Sequence, residues 1–393
     1  MSKYKGAIIA DIHAGAFSGA ILYKELKEGF ISHLKEMNKL DFIIIAGDLF
    51  DTKISLNSDN TKFIFEFLKD IMKIAIKHNA SIRIIKGTES HDNQQLDTLL
   101  PLLNPSCNIK IINTVTDEYL FDDFHVLYIP EEYMKDKDEF YKDYFNQRYD
   151  MIFGHGMVNE VAFASKSQMS EVTMSKAPIF KTQNLIDICY GPIFFGHIHK
   201  HQRIKEHMYY VGSYSRWCFG EDEDKGFMTV SYDTETYDYK TKFIVNELAR
   251  TFDTIVIDYN SSFYKSVMNN NPTDEIQRII DVANAQKADK LRIIFNIPED
   301  YEQPGLLISL INDVFSKHNN VKVVINNNAK NIRTKKETEE RTQMLLSTYD
   351  FLFDKSIPTD EKLVRYIKIK YNKDIDIDRM RDILYQKLTV NSQ

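Results

Sequence analysis

Five short segments carry side chains able to bind metal ions, and each follows directly on a short apolar run. Asp11 and His13 (ADIHAG) follow Ala7 to Ala10, and Asp48 and Asp51 (AGDLFD) follow Phe42 to Ala46. His91 and Asp92 (KGTESHD) follow Ile82 to Ile85, His155 (FGHG) follows Met151 to Phe153, and His197 and His199 (FGHIH) follow Ile193 to Phe195. Mixed imidazole and carboxylate donors suit manganese, iron or zinc and argue against a calcium cage built of oxygen alone. A D-x-H pair can set both side chains on one ion, and a single carboxylate, here Asp48, can bridge two. Two ions ~3.5–4 Å apart bind a phosphoryl oxygen, activate a water and stabilise an in-line transition state. A histidine that is not a ligand can then protonate the leaving oxygen. Each segment alone is commonplace; their order and shared placement point to a dinuclear site. His33, His78, His125, His207 and His318 lack this context, whereas His201, two residues past His199, can line the site.

Such donors need a rigid frame, and the hydrophobic pattern supplies one. The apolar runs above, with Val126 to Ile129, read as strands. Leu22, Leu26, Phe30 and Leu34 recur every four residues, as do Phe63, Phe67 and Ile71, the spacing of one helix face. Apolar strands with helical crossovers indicate an α/β core covered on both faces. Ligands just past the strands then lie at the carboxyl edge of a sheet, where such proteins place their sites. Tyr209 to Val211 and Phe227 to Tyr232 close this domain, residues 1–248. Residues 249–328 read as a small βαβαβ domain, with strands at Ile255 to Tyr259, Leu291 to Ile297 and Val321 to Ile325. Residues 329–343 are polar and charged, a linker. Residues 344–393 carry three short amphipathic helices, lined by Met344, Leu345, Tyr349 and Leu352, by Leu363, Tyr366, Ile367 and Lys370, and by Ile377, Met380, Leu384 and Leu388. So short a tail buries these stripes poorly alone, so it either packs on its own chain or docks a partner.

The chain has 393 residues, 43% of them hydrophobic, enough for a sizeable core and more than one domain. Its net charge of −7 argues against a protein held on nucleic acid by a broad basic surface. DNA remains a possible substrate, because bound divalent cations supply positive charge where a phosphate must sit. Cys107, Cys189 and Cys218 are far apart and form no CxxC pair, which fits a reducing compartment. There is no signal-like N-terminus and no apolar run near the ~20 residues that span a bilayer. A soluble, cytoplasmic protein without membrane contact is expected.

The motif order D-x-H, G-D-x-x-D, a loop ending in H-D, G-H and G-H-x-H resembles that of calcineurin-like metallophosphoesterases. AGDLFDT further resembles the second motif of SbcD-type DNA-break repair and recombination nucleases of bacteria and bacteriophages, and YVGSYSRWCFGEDEDKGF resembles a later segment of that family. The resemblance implies a four-layer-type α/β metallophosphoesterase core, two packed sheets flanked by helices. It also implies a small α/β capping domain that positions DNA and a C-terminal helical partner-binding tail. It makes Asp11, His13, Asp48 and His199 ligands of one metal, Asp48, His155 and His197 ligands of the second, and His91 the catalytic histidine. It implies manganese, with magnesium as the alternative, an SbcC-type coiled-coil ABC ATPase as partner of residues 344–393, and a homodimer.

One departure stands out. The family's third motif is G-N-H-D or G-N-H-E, and its Asn completes the second metal. Here Gly87-Thr88-Glu89-Ser90-His91-Asp92 sets Ser90 in the Asn place. Ser90 can be a weak ligand, Glu89 a stronger one, or water fills the position, and a less tightly held second metal follows. Phosphatases and cyclic-nucleotide phosphodiesterases share the metal scaffold. Protein phosphatases of this kind usually carry an Arg after the second motif, where this chain has GDLFDTK. A non-catalytic scaffold typically loses several ligands, whereas only the Asn position is altered here.

Overall fold

In the first sheet the strand Phe42–Ala46 is buried at every residue, because consecutive side chains serve two different cores. The structure, a computed structural model, describes residues 2–55, 58–92, 95–164, 178–259, 272–285, 288–299, 301, 304–316, 318–328, 351, 357–371, 374, 376 and 378. The chain divides into two compact units, Met1–Asp253 with Lys287–Lys290, and Thr254–Gln286 with Leu291–Gln393.

The strands are β1 (Lys3–Ile9), β2 (Phe42–Ala46), β3 (Ser81–Ile85), β4 (Asn108–Ile112), β5 (Thr116–Phe121), β6 (Phe124–Ile129), β7 (Met151–His155), β8 (Met157–Val158), β9 (Ile179–Phe180), β10 (Ile193–Gly196), β11 (Gln202–Lys205), β12 (Met208–Tyr210), β13 (Gly226–Asp233) and β14 (Tyr239–Val245), followed by β15 (Phe252–Asp258), β16 (Lys290–Ile297) and β17 (Val321–Asn327). In the first unit, one six-stranded sheet runs β14-β13-β1-β2-β3-β4 and another β11-β12-β10-β7-β6-β5. In the first, β1 to β4 are parallel and the β13–β14 hairpin adds antiparallel to β1. In the second, β6, β7, β10 and β12 are parallel, with β5 and β11 antiparallel at the edges.

Side chains from both sheets, among them Ile8, Phe42, Ile44, Val126, Phe153 and Phe194, share one buried cluster. On the other face of the first sheet, Ile43, Ile45, Ile82 and Ile84 meet Leu22, Phe30, Phe67 and Ile71 of the helices. Ile152, Ile193 and Phe195 of the second sheet likewise meet Leu185 and Ile188. Strands buried on two faces explain the unbroken apolar runs of the sequence. The chain is thus α/β. The helix predicted from Leu22 to Leu34 is interrupted by a π turn, Lys27–Ile31. The Tyr214 hydroxyl causes it: it donates to the Glu25 carbonyl at 2.8 Å and accepts from the Phe30 N–H at 3.1 Å, inserting into the helical ladder.

The second unit has the sheet order β15-β16-β17, with β16 and β17 parallel. Leu291, Ile293, Phe295 and Ile297 alternate inward along β16 and pack with Ile279, Leu307 and Ile311 from helices Pro272–Ala285 and Pro304–Phe315. The second expected tail helix is Thr359–Tyr371, with Leu363, Tyr366 and Ile367 half-buried. The expected linker, 329–343, and the residues expected to line the first and third tail helices lie outside the described residues. Among the described residues no helix is long and apolar enough to cross a membrane.

Candidate metal centre

The carboxyl ends of β1, β2, β3, β6, β7 and β10 deliver the donors. Asp11, His13, Asp48 and His197 all adopt positive φ, between 48° and 89°. Non-glycine residues hold such a backbone rarely and at a cost, and its concentration here marks a constrained site. Gly47, also at positive φ (84°), and Gly87 permit the close approach, since a Cβ on either would fall on His155 or on Asp48. Asp92 ties two of the loops together, accepting from the Phe50 N–H at 3.1 Å and the Gly87 N–H at 2.8 Å. Burial, and then the charge of Asp48, push its carboxyl up to about 7.

The donors gather into clusters whose ligand atoms lie within 4.8 Å of one another: Asp11, His13 and His199; Asp48, His155 and His197; and His13, Asp51 and His91. The Nε2 atoms of His13 and His199 face one another at 3.0 Å. Asp48 Oδ2 lies 3.2 Å from His155 Nε2 and 4.0 Å from His13 Nε2, so this one carboxylate stands between the first two clusters. Burial opposes charge on both Asp48 and His155, but their mutual attraction prevails: Asp48 is held well below the usual carboxylate range and His155 is raised to about 10.

The outward ring nitrogens set the tautomers. His155 Nδ1 faces the Ala46 carbonyl at 2.9 Å, and His199 Nδ1 faces Glu221 Oε1 at 2.6 Å. A proton kept on each Nδ1 by these partners makes the inward Nε2 the nitrogen that gives up its proton to a metal. His91 Nδ1 pairs in the same way with the Asp51 carbonyl, and its ring meets that of His13 edge-on, centroids 4.8 Å apart. Asp11 is fully buried and accepts from the His197 N–H at 3.0 and 3.1 Å. Several buried carboxylates facing imidazole nitrogens form a donor set that fits divalent cations, which displace the shared protons.

Of the ligands the resemblance implies, all except Ser90 lie in these clusters; Asp92 does not, its oxygens being taken by backbone N–H groups. Ser90 is exposed in the short helix Glu89–Asp92, and the loop is in register with its glycine rather than its histidine. Thr88, directly after Gly87, faces the cluster instead: its N–H donates to Asp48 Oδ1 at 2.7 Å, and its Oγ1 lies 3.4 Å from His155 Nε2 and from His197 Nδ1. Glu89 is half-buried and sits 3.6 Å from Lys86 Nζ. His201 faces the Tyr210 carbonyl and stacks on Phe243. Two carboxylates escaped the sequence reading. Glu221 falls in the later segment noted above, and Glu131 falls two residues past β6, the same strand-end position that marks the recognised donors.

No family model matches the chain, and no curated protein matches it. A solved structure described only as a crystal structure aligns with a TM-score of 0.37 and 11% identity, over 62% of this chain and 100% of that one. The crystal structure of TT1561 of Thermus thermophilus aligns with a TM-score of 0.36 and 9% identity, over 62% of this chain and 100% of that one. Likeness this loose carries no weight for fold or activity.

Proposed function

We propose that this chain is a metal-dependent phosphodiesterase acting on DNA, the nuclease subunit of an SbcCD-like recombination and repair complex. The observation that supports this most is the pair of donor clusters meeting at Asp48. In this reading Asp11, His13, Asp48 and His199 hold one divalent ion and Asp48, His155 and His197 the other, Mn²⁺ by preference and Mg²⁺ as the alternative. Two such ions supply charge neutralisation for a phosphodiester and activation of water.

The chain's own residues do the rest. Buried Asp11, Asp48 and Glu131 repel an anionic phosphodiester, which makes substrate binding depend on cations. His91, oriented by an Nδ1–H bond to the Asp51 carbonyl, delivers a proton from Nε2 to the leaving oxygen when its ring is the imidazolium, and is left as the neutral Nδ1–H imidazole. In the same reading the core has the family's layered arrangement, the 249–328 domain positions DNA, and residues 344–393 dock a coiled-coil ABC ATPase. The working form is a cytoplasmic homodimer. The net charge of −7 makes DNA affinity of the isolated chain weak, so full activity depends on that partner.

The test is cleavage of end-labelled duplex and single-stranded DNA by metal-stripped protein given Mn²⁺, Mg²⁺ or neither, beside His91→Ala. Manganese-dependent cutting is expected, falling about 10²–10⁴-fold in the variant while Mn²⁺ binding is kept. Hydrolysis of bis-p-nitrophenyl phosphate without DNA cutting would indicate another phosphoester or a missing ATPase. No hydrolysis of either would leave a non-catalytic scaffold.

A further inference from the structure

Glu131 is 1% exposed and lies beside the Asp48, His155 and His197 cluster, in contact with His197 but outside the set of donors within 4.8 Å of one another. Its Oε2 lies 3.1 Å from His197 Nδ1 and 3.3 Å from Thr88 Oγ1. Its Oε1 accepts from the Tyr133 hydroxyl at 2.7 Å. Its backbone is fixed as well, because the Glu131 N–H donates to the Lys86 carbonyl and so ties the end of β6 to the loop carrying Gly87 and Thr88.

The contact differs in kind from that of Glu221. Glu221 holds the outward nitrogen of His199, whose inward Nε2 faces His13. Glu131 meets His197 at Nδ1, the nitrogen that also faces Thr88 on the cluster side. A carboxylate that only orients a ligand bonds the far nitrogen; one on the near nitrogen shares the ion's space. The spacing agrees. Adjacent ligands of a six-coordinate Mg²⁺-sized ion, with bonds of about 2.1 Å, are about 3 Å apart. Thr88 Oγ1 is 3.4 Å from Asp48 Oδ2 and 3.3 Å from Glu131 Oε2, while Glu131 Oε2 and His197 Nδ1 are 3.1 Å apart.

We propose that Glu131 is a direct ligand of the second divalent ion, its carboxylate replacing the Asn amide that the third motif lacks, with the Thr88 hydroxyl alongside. The inference rests on the dinuclear reading of the site. It reverses the expectation of a weakened second site, because an anionic carboxylate binds a dication more strongly than a neutral amide does.

The experiment counts Mn²⁺ bound to the metal-stripped full chain, reading free Mn²⁺ by its electron paramagnetic resonance, so no activity is needed. Wild type should bind two ions. Glu131→Gln, close to isosteric, should keep the first and weaken the second by about 10–100-fold or more. Adding Thr88→Asn to Glu131→Gln should restore part of the loss, and Thr88→Ala alone should change little. Two ions bound by Glu131→Gln at wild-type affinity would overturn the proposal. Fewer than two ions bound by wild type would overturn it together with the dinuclear reading, a distinguishable result. If Glu131→Gln lowers the metal-free melting temperature sharply, Glu131→Asp serves instead: it keeps the charge on a shorter stem and should give an intermediate second-site affinity, and no change would again overturn the proposal.

Discussion

Glu221 grips His199 from behind: Oε1 lies 2.6 Å from Nδ1 of the imidazole, while Oε2 accepts from the Trp217 N–H at 2.6 Å. The fully buried Lys225 ammonium stands 3.6 Å from the same carboxylate and donates to the His199 carbonyl at 3.0 Å. Burial works against ionisation of Glu221, yet the hydrogen bond from His199 and the charge of Lys225 outweigh it and hold the carboxyl down to about 2. The orienting carboxylate therefore stays charged throughout the working pH range. An anionic partner raises the basicity of the inward Nε2 and fixes its direction.

Glu221→Gln should accordingly weaken Mn²⁺ binding at the first site by about 10–100-fold. The second site, built from Asp48, His155 and His197, should be nearly unaffected. A Mn²⁺ titration with two resolved steps checks this, and loss confined to the second step would contradict the assignment of His199.

Much of this site was legible because its donors come in a form sequence shows well. Asp48 follows the run FIIIA, and His197 follows IFF, so each sits where a buried strand must end. Edge strands were harder. β5 is mostly half-buried and polar and β14 mixes exposed with half-buried residues, a weaker signal than an unbroken apolar run, and the sequence pattern shows neither. Glu131 hid for a different reason. In Pro130-Glu131-Glu132 it reads as an ordinary turn carboxylate, and only the pairing of Ile129 with Gly154 shows that the segment ends beside His155. Counting back from His91 puts Ser90 in the ligand place. The structure instead follows Gly87, whose missing side chain leaves room for Asp48 and so fixes which neighbour faces the cluster.

Away from the metal centre, Arg83 is almost fully buried between β2 and β4 and donates to Glu118. Lys110 donates to the other carboxylate oxygen at 2.6 Å, and the Tyr128 hydroxyl adds a bond at 3.1 Å. Burial raises the Glu118 carboxyl, but the bonds from Arg83 and Lys110 prevail and leave it below the usual range. A carboxyl lowered by folding stabilises above its unfolded value, near 4.3, and that stabilisation is lost as pH falls through the lower folded value. Glu118→Gln should thus destabilise by about 1–3 kcal/mol at pH 7, less than a fully buried pair because Glu118 is partly solvated. The gap from wild type should shrink as pH drops below about 4. Urea unfolding at pH 7 and at acid pH measures both, and a gap that does not change with pH would place the stabilisation in packing rather than charge.

Gly47 is the position where fold and site are least separable. Its φ of 84° is one that an L side chain adopts only under strain, and an added Cβ would fall on the buried His155 ring. His155 steps aside only by giving up its contacts, since its Nδ1 is held by the Ala46 carbonyl and its Nε2 by Asp48. Gly47→Ala therefore combines a left-handed backbone penalty of about 1–2 kcal/mol with overpacking of about 1–3 kcal/mol. A total near 2–5 kcal/mol should appear in metal-free unfolding. Because His155 must shift for the protein to fold at all, the second Mn²⁺ should also be lost while the first, held by Asp11, His13 and His199, remains. Gly156, with open space around its Cβ position, is the control: Gly156→Ala carries only the backbone penalty of its φ of 144° and should keep both ions. Equal metal loss in the two variants would mean that strain in these turns, rather than the seat of His155 against Gly47, governs the second ion.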